Sequence, residues 1–243
     1  MRRLEITSPS GSAHLDRVRS GWLIDLDEPP DDTTATHRLT TALERVAHEG
    51  GGLARLWARA GHPATTAAAA VLGLTAEREL HQLRRHLPVD LTYELILRPF
   101  VPGEDEAAWL EVNNRAFDWH PEQGGWTEDD ILAREAEAWF DPSGFLLHED
   151  DRKLTGFVWT KVHRDAEPPL GEIYVIAVDP SAAGTGLGRR LVLAGLDHLH
   201  QAGLEWGMLY VDDGNAGGGR LYEQLGFELH HTDTSYTIEV AAA

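Results

Sequence analysis

No cysteine occurs in the 243 residues, which excludes disulfides, thiolate metal sites and a cysteine nucleophile. Positive charge is scarce: 21 Lys and Arg stand against 40 Asp and Glu, a formal net charge of −19, with no basic patch. That balance argues against nucleic acid or an anionic membrane as the principal partner. Long apolar runs are missing as well. No window approaches the roughly eighteen uninterrupted apolar residues of a membrane helix. Met1-Arg2-Arg3 leads into Glu5, Thr7 and Ser8 rather than into the apolar core of a signal peptide. The 13 histidines form no ligand array: His198 and His200 lie two apart on a predicted helix, and His230 and His231 are adjacent on a predicted strand. No metal is expected. What is there is an ordinary globular composition, 42% hydrophobic and 25% charged, at a length that allows one large domain or two small ones. A soluble, cytoplasmic, monomeric protein is the expectation.

Gly and Pro clusters divide the chain near residues 88–102. Before that point Glu28-Pro29-Pro30-Asp31-Asp32, Gly50-Gly51-Gly52 and Gly61-His62-Pro63 cut it into short pieces. Between them, Leu39, Leu43, Val46 and Ala47 recur at helical spacing over Thr36 to His48. Leu53 to Arg59 reads as a strand, and Pro63 to Leu72 as an alanine-rich helix opening on proline. Glu77 to Leu87 is ambiguous, although Leu80, Leu83 and Leu87 suit a helix. From Leu91 the pattern predicts a strand to Arg98, stopped by Pro99, then helices over Asp105–Phe117 and from Thr127, with Asp130 three positions on as a near capping box. Strands follow over Gly144–His148 and Leu154–Val162. Glu172–Val178 is apolar on both sides, as in a buried central strand. A helix over about Gly186–Ala202, a strand over Trp206–Val211, a helix over Asn215–Leu225 and two short strands around Phe227–His231 and Ser235–Val240 complete a mixed α/β order.

Ala183-Gly184-Thr185-Gly186-Leu187-Gly188-Arg189-Arg190 lies between the buried strand and a helix. Glycines there let successive backbone N–H groups approach an anion, and the helix dipole favours the same ligand. Phosphate or pyrophosphate is therefore its natural partner. The spacing is not the dinucleotide fingerprint, and no Gly-Lys-Ser/Thr of a nucleoside triphosphatase loop occurs. A second element follows the next strand: Asn215, then Arg220, Tyr222, Gly226 and Phe227.

Val178-Asp179-Pro180 with Gly-x-Gly-x-Gly, followed by Asn-x6-Tyr-x3-Gly-Phe, resembles the GNAT family of acetyl-CoA-dependent N-acetyltransferases. Phe157 to His163, Gly171 to Val175, His120 to Gly124 and Leu209-Tyr210-Val211 are similar to the mycothiol synthase family within it. The resemblance implies an α/β tandem GNAT fold, a mixed central sheet with flanking helices. Its N-terminal repeat (1–90) is incomplete, structural and free of coenzyme, and 91–243 form the catalytic domain. By the same resemblance Glu77–Leu87 should be a strand. The implied reaction is acetylation of the cysteinyl amine of cysteinyl-glucosaminyl-inositol, a small-molecule acceptor. Another small amine, a protein N-terminus, or a non-catalytic coenzyme-binding role are the alternatives.

The resemblance assigns the coenzyme to Ile176, Ala177, Val178, Ala183, Gly184, Thr185, Gly186, Leu187, Gly188, Arg189, Asn215 and Arg220. Substrate contacts fall to Glu122, Lys161, Glu172 and Tyr210. Two departures stand out: Ala183 replaces the usual Gln or Arg, and Gly217-Gly218-Gly219 replace helical alanines. Acyl transfer needs a neutral amine, yet an α-amino group ionises near 7.7–8.0. A carboxylate that takes the proton typically gains about 10²–10⁴-fold. Glu172, opening the buried strand and sharing a face with Tyr174, Ile176 and Val178 by two-residue alternation, is the candidate base. Tyr222 is the candidate acid for the departing thiolate, and backbone N–H groups of Ile176–Val178 are candidate donors to the thioester carbonyl.

Overall fold

The computed structural model of the chain describes residues 3–8, 11–18, 21–120 and 123–243. Two copies of one element sequence follow each other. The first is β1 (Arg3–Ser8), β2 (Gly11–Val18), β3 (Gly21–Leu26), α1 (Asp32–His48), β4 (Gly52–Ala58), α2 (Pro63–Val71) and β5 (Thr75–His86). After β6 (Arg98–Pro99), α3 (Glu106–Ala116) and α4 (Glu128–Glu135), the same order returns. It comprises β7 (Phe145–Asp150), β8 (Lys153–His163), β9 (Leu170–Val178), α5 (Leu187–Gln201), β10 (Trp206–Asp212), α6 (Ala216–Gln224) and β11 (Glu228–Val240). Pairing repeats too: β1 with β2 and β2 with β3 antiparallel, β3 with β4 parallel; β7 with β8 and β8 with β9 antiparallel, β9 with β10 parallel. Among the described residues the first copy has no counterpart of β6, α3 or α4.

The chain packs as two compact units. One joins the residues up to Gln82 with Val211–Gly219 and Leu229–Ala243; the other comprises Leu83–Tyr210 and Arg220–Glu228. In the first unit the strand order is β1-β2-β3-β4-β11-β5, so the C-terminal strand lies against β4, with Tyr236 opposite Leu56 and Ile238 opposite Ala54. Its core gathers alternate strand residues, Ala13 and Leu15, Trp22 and Ile24, under the α1 stripe Ala35, Leu39, Ala42 and Val46. The second unit orders its strands β10-β9-β8-β7-β6 around an aromatic core of Trp109, Phe145, Phe157 and Trp159. Thr127 N–H donates to Asp130 Oδ2 at 2.8 Å at the start of α4, fulfilling the cap expected there.

β5 runs extended from Thr75 to His86, so the segment whose pattern is ambiguous is the strand that the family resemblance implied over Glu77–Leu87. Three other readings differ from the structure. Residues 91–97 form no strand: only Arg98 and Pro99 pair, with Leu147 and Leu146, and Ile96 is 91% exposed with no neighbour to alternate against. The C-terminal segment is one 13-residue strand rather than two short ones, its Thr234–Val240 half paired along β4. The three strands before residue 27 were not foreseen.

The glycine-rich start of α6 gives a local stability prediction. A methyl built on Gly218 would come within 2.9 Å of Asn215 Nδ2, whereas at Gly219 nothing lies within 4 Å. Gly219→Ala is therefore expected to stabilise the protein by about 0.5–1 kcal/mol, the usual helical difference between the two residues, and Gly218→Ala to give no such gain. Thermal melts of the two variants check this; equal gains would show that the Asn215 side chain does not restrict the turn.

Candidate active site

Glu172 stands near the start of β9, 7% exposed, with Lys161 of β8 directly opposite and Met208 of β10 on its other side. His163 lies two residues beyond Lys161 on the same face of β8, and its Nε2 is 2.7 Å from Glu172 Oε2. Glu172 Oε1 makes no hydrogen bond among the described residues. The Lys161 ammonium turns instead to two aromatic faces, 4.5 Å from the Trp139 ring centre and 5.5 Å from that of Tyr174. Burial pushes the Tyr174 phenol up.

A β-bulge sits at Tyr174. Thr160 pairs with Ile173 and Trp159 with Val175, leaving Tyr174 as the extra residue. Beyond it the alternation inverts, so the face expected for Ile176 and Val178 is corrected. Val175 and Ala177 join Tyr174 against the aromatic core around Trp159. Ile173 and Val178 meet α5 on the opposite side, where methyls built on Gly195 and Gly188 would touch them. On the other edge of β9 the ladder to β10 covers only Gly171–Ile173 against Gly207–Leu209. β9 then runs on to Val178 with no further pairing on that edge among the described residues, so Ile176, Ala177 and Val178 border a cleft between parallel strands.

The cleft end of β9 leads into the glycine turn. Asp179 fixes the entry: its carboxylate accepts from Ser181 N–H at 2.9 Å and Ser181 Oγ at 2.6 Å, and from Arg115 Nε and Nη2 at 2.9 and 2.6 Å. Although burial opposes it, these donors hold its carboxyl below the ordinary carboxylate range. Ala183 follows in extended conformation, and Thr185 Oγ1 donates to Ala182 O at 2.8 Å. Gly184 and Gly186 take φ of +75° and +76° with open space where a side chain would be. The first turn of α5 carries no acid, and its N–H groups at Leu187, Gly188 and Arg189 have no intrahelical acceptor. The matching connection in the first copy is different in kind. Pro29-Pro30 precede an α1 that begins on Asp31 and Asp32, with Asp31 Oδ1 already accepting Thr34 N–H at 2.7 Å.

Tyr222 is buried on α6, its ring centre 5.8 Å from that of Phe227, and burial pushes its hydroxyl up to about 12. Asn215 belongs to the first unit, where its Oδ1 accepts Gly218 N–H at 2.9 Å and so caps α6. Arg220 is exposed, and Tyr210 is half-buried on the face of β10 that Met208 shares. Glu122 lies outside the described residues. Sequence reasoning missed His163 and Arg115; alternation from Lys161 was the available signal for the first, and none pointed to the second. No helix among the described residues is long and apolar enough to cross a membrane.

Residues 109–227 match the acetyltransferase (GNAT) family. A mycothiol acetyltransferase of Thermobispora bispora is 43% identical over 256 aligned positions, covering 96% of this chain and 86% of that protein. One from Nocardia farcinica is 50% identical over 207, covering 81% and 68%. The chain belongs to the mycothiol acetyltransferase family of GNAT enzymes. It is an acetyltransferase, and acetyl-CoA is the acetyl donor of GNAT enzymes. Among solved structures, a GCN5-related N-acetyltransferase from Sphaerobacter thermophilus superposes with a TM-score of 0.77 at 20% identity, covering 96% of this chain and 77% of its own. A tandem GNAT protein from the clavulanic acid biosynthesis pathway gives 0.68 at 16% identity, with 96% and 80% covered. Those likenesses establish the tandem GNAT fold. A turn with open space at Gly184 and Gly186, leading into a first helical turn that carries no acid and has N–H groups without intrahelical acceptors, suits the pyrophosphate of such a donor.

Glu135, at the end of α4, feels the carboxylate of Glu106 on α3. Burial first, then the charge and hydrogen bond of Glu106, push the Glu135 carboxyl up from 4.5 to about 7. A raised carboxyl in the folded state leaves stability untouched below about 4.5 and reduces it as pH rises towards 7. Glu135→Gln is therefore expected to raise Tm at pH 8 and leave it unchanged near pH 4.5. With the shift discounted for a half-exposed group, the gain is about 1 kcal/mol, or about 2–4 °C. Melts at the two pH values check it; an equal change at both would rule out a raised Glu135 carboxyl.

Proposed function

We propose that the chain transfers the acetyl group of acetyl-CoA to the cysteinyl amine of cysteinyl-glucosaminyl-inositol, forming mycothiol. The observation that carries the chemistry is the Glu172 carboxylate, buried on β9 with Oε2 held by His163 and Oε1 open. Similarity to the mycothiol acetyltransferases over nearly the whole chain supports this acceptor over other amines.

Acetyl-CoA supplies an acetyl group activated as a thioester. Glu172 Oε1 takes the proton of the acceptor ammonium, and so holds the amine in its reactive form at neutral pH. The open edge of β9 at Ile176–Val178 offers backbone groups to an extended pantetheine arm and donors to the carbonyl oxygen. Gly184, Gly186, Gly188 and the first turn of α5 hold the pyrophosphate, with Ala183, Thr185, Leu187 and Arg189 lending main-chain atoms. Asn215 and Arg220 are assigned to the coenzyme, the former with its Oδ1 already engaged in the cap. Lys161, Tyr210 and Glu122 receive the sugar and inositol hydroxyls. Tyr222 Oη donates to the sulfur. The first copy, with carboxylates and prolines before α1, takes no coenzyme, so one acetyl-CoA per chain is bound.

Thiol release from acetyl-CoA tests the reading, with cysteinyl-glucosaminyl-inositol set beside simple amines and peptide N-termini. A site that pairs its buried polar groups with the sugar should favour the first by about 10²-fold or more in kcat/KM. Equal turnover of a simple amine or a peptide would overturn the acceptor.

A further inference from the structure

His163 is the side chain at the candidate base whose contact no step above explains. Glu172 has a cation directly opposite it, Lys161, yet the lysine is drawn onto the Trp139 and Tyr174 rings and forms no ion pair with the carboxylate among the described residues. The carboxylate is reached instead on the diagonal, by the residue two further along β8, within the span that long side chains bridge across a ladder. The contact is short, 2.7 Å, and joins a carboxyl side chain 10% exposed to an imidazole 30% exposed. A lysine or arginine at that spot would bring a permanent charge, whereas an imidazole supplies a directed N–H donor from a short, stiff side chain.

From this geometry we infer that His163 is a positioning residue for the acetyl transfer. Its Nε2–H donates to Glu172 Oε2, fixes the carboxylate rotamer and leaves Oε1 as the oxygen that meets the amine. The inference rests on Glu172 being the base. The other ionisable groups facing the pair are Lys161 from β8, Tyr174 from β9 and Tyr210 from β10, with Arg134 of α4 and Glu137 just beyond that helix acting on Tyr174.

The test is the pH profile of kcat/KM for the amine in the intact enzyme, with His163→Leu, His163→Asn and His163→Gln beside Glu172→Gln. A lost hydrogen bond to a charged group corresponds to a fall of about ten- to a hundredfold for His163→Leu. The acidic limb, which reports the base of the free enzyme, should move to higher pH, because a carboxylate that loses a donor is harder to ionise. His163→Gln, whose amide N–H reaches as far, should recover most of the rate and the limb; His163→Asn, one carbon shorter, should behave as leucine does. KM for acetyl-CoA should not change. If Glu172→Gln is inactive while His163→Leu and His163→Asn keep the original limb and rate, the inference about His163 is overturned and the base stands. If Glu172→Gln keeps full activity, the base itself is wrong.

Discussion

Glu172→Gln is expected to lower kcat by about 10²–10⁴-fold at pH 7, the span typical of a lost general base. That range corresponds to about 2.7–5.4 kcal/mol of barrier. The fold should survive, because the glutamine oxygen can still accept from His163 Nε2, now 2.7 Å from Oε2. Coenzyme affinity should hardly change, since the glycine turn lies at the other end of β9. The pH dependence separates a base from a mere binding group. With an amine ionising near 7.8, the neutral fraction rises about sevenfold between pH 7 and 9. The variant's rate should climb by about that factor over the same interval, and the deficit should narrow without closing. Steady-state rates at saturating acetyl-CoA across pH 6–9 make the measurement, and a variant that keeps full kcat between pH 6 and 8 excludes Glu172 as the base.

Elements whose signals are local were legible in the sequence. The Thr127 cap, the glycine turn at Gly184–Gly188 and the stripe Leu39, Leu43, Val46 all write their conformation into neighbouring residues. The misses came where a distant strand decides. Thr75–His86 carries leucines at helical spacing, yet its conformation is that of a strand in the sheet. Leu91–Leu97 has strand composition but no ladder to join. Residues 11–26 alternate small or apolar residues, Ala13, Leu15, Trp22 and Ile24, with polar ones over stretches too short to stand out. Around the candidate base Glu172 the facing of β9 was misread, because one extra residue at Tyr174 turns every later side chain of β9 over. His163 went unassigned for a related reason: its value comes from a diagonal across β8 and β9, which depends on register. The resemblance to the GNAT family supplied a strand over Glu77–Leu87, where pattern alone was ambiguous, and the strand runs from Thr75 to His86.

Tyr222→Phe is expected to lower kcat by about ten- to a hundredfold while the KM values for amine and acetyl-CoA stay close to the original. The size follows from what the hydroxyl can do. Burial pushes its pKa up to about 12, so it stays protonated throughout the working range. A thiol ionises near 8.5, so complete transfer of the phenolic proton to sulfur would run uphill by about 3.5 units, or about 5 kcal/mol. A hydrogen bond donated to the sulfur as charge gathers there avoids that cost, and a bond to a charged group contributes about 1.5–3 kcal/mol. Such a bond forms only as the barrier is crossed, which is why kcat falls and KM does not. The same argument fixes the pH behaviour: because the phenol does not ionise below about pH 11, the basic limb of the kcat profile should be the same in Tyr222→Phe as in the parent enzyme. A ring that only packs against Phe227 would leave kcat intact when the hydroxyl is removed, and that result assigns Tyr222 to the core. A basic limb present in the parent and lost in the variant would instead make Tyr222 an acid that transfers its proton fully.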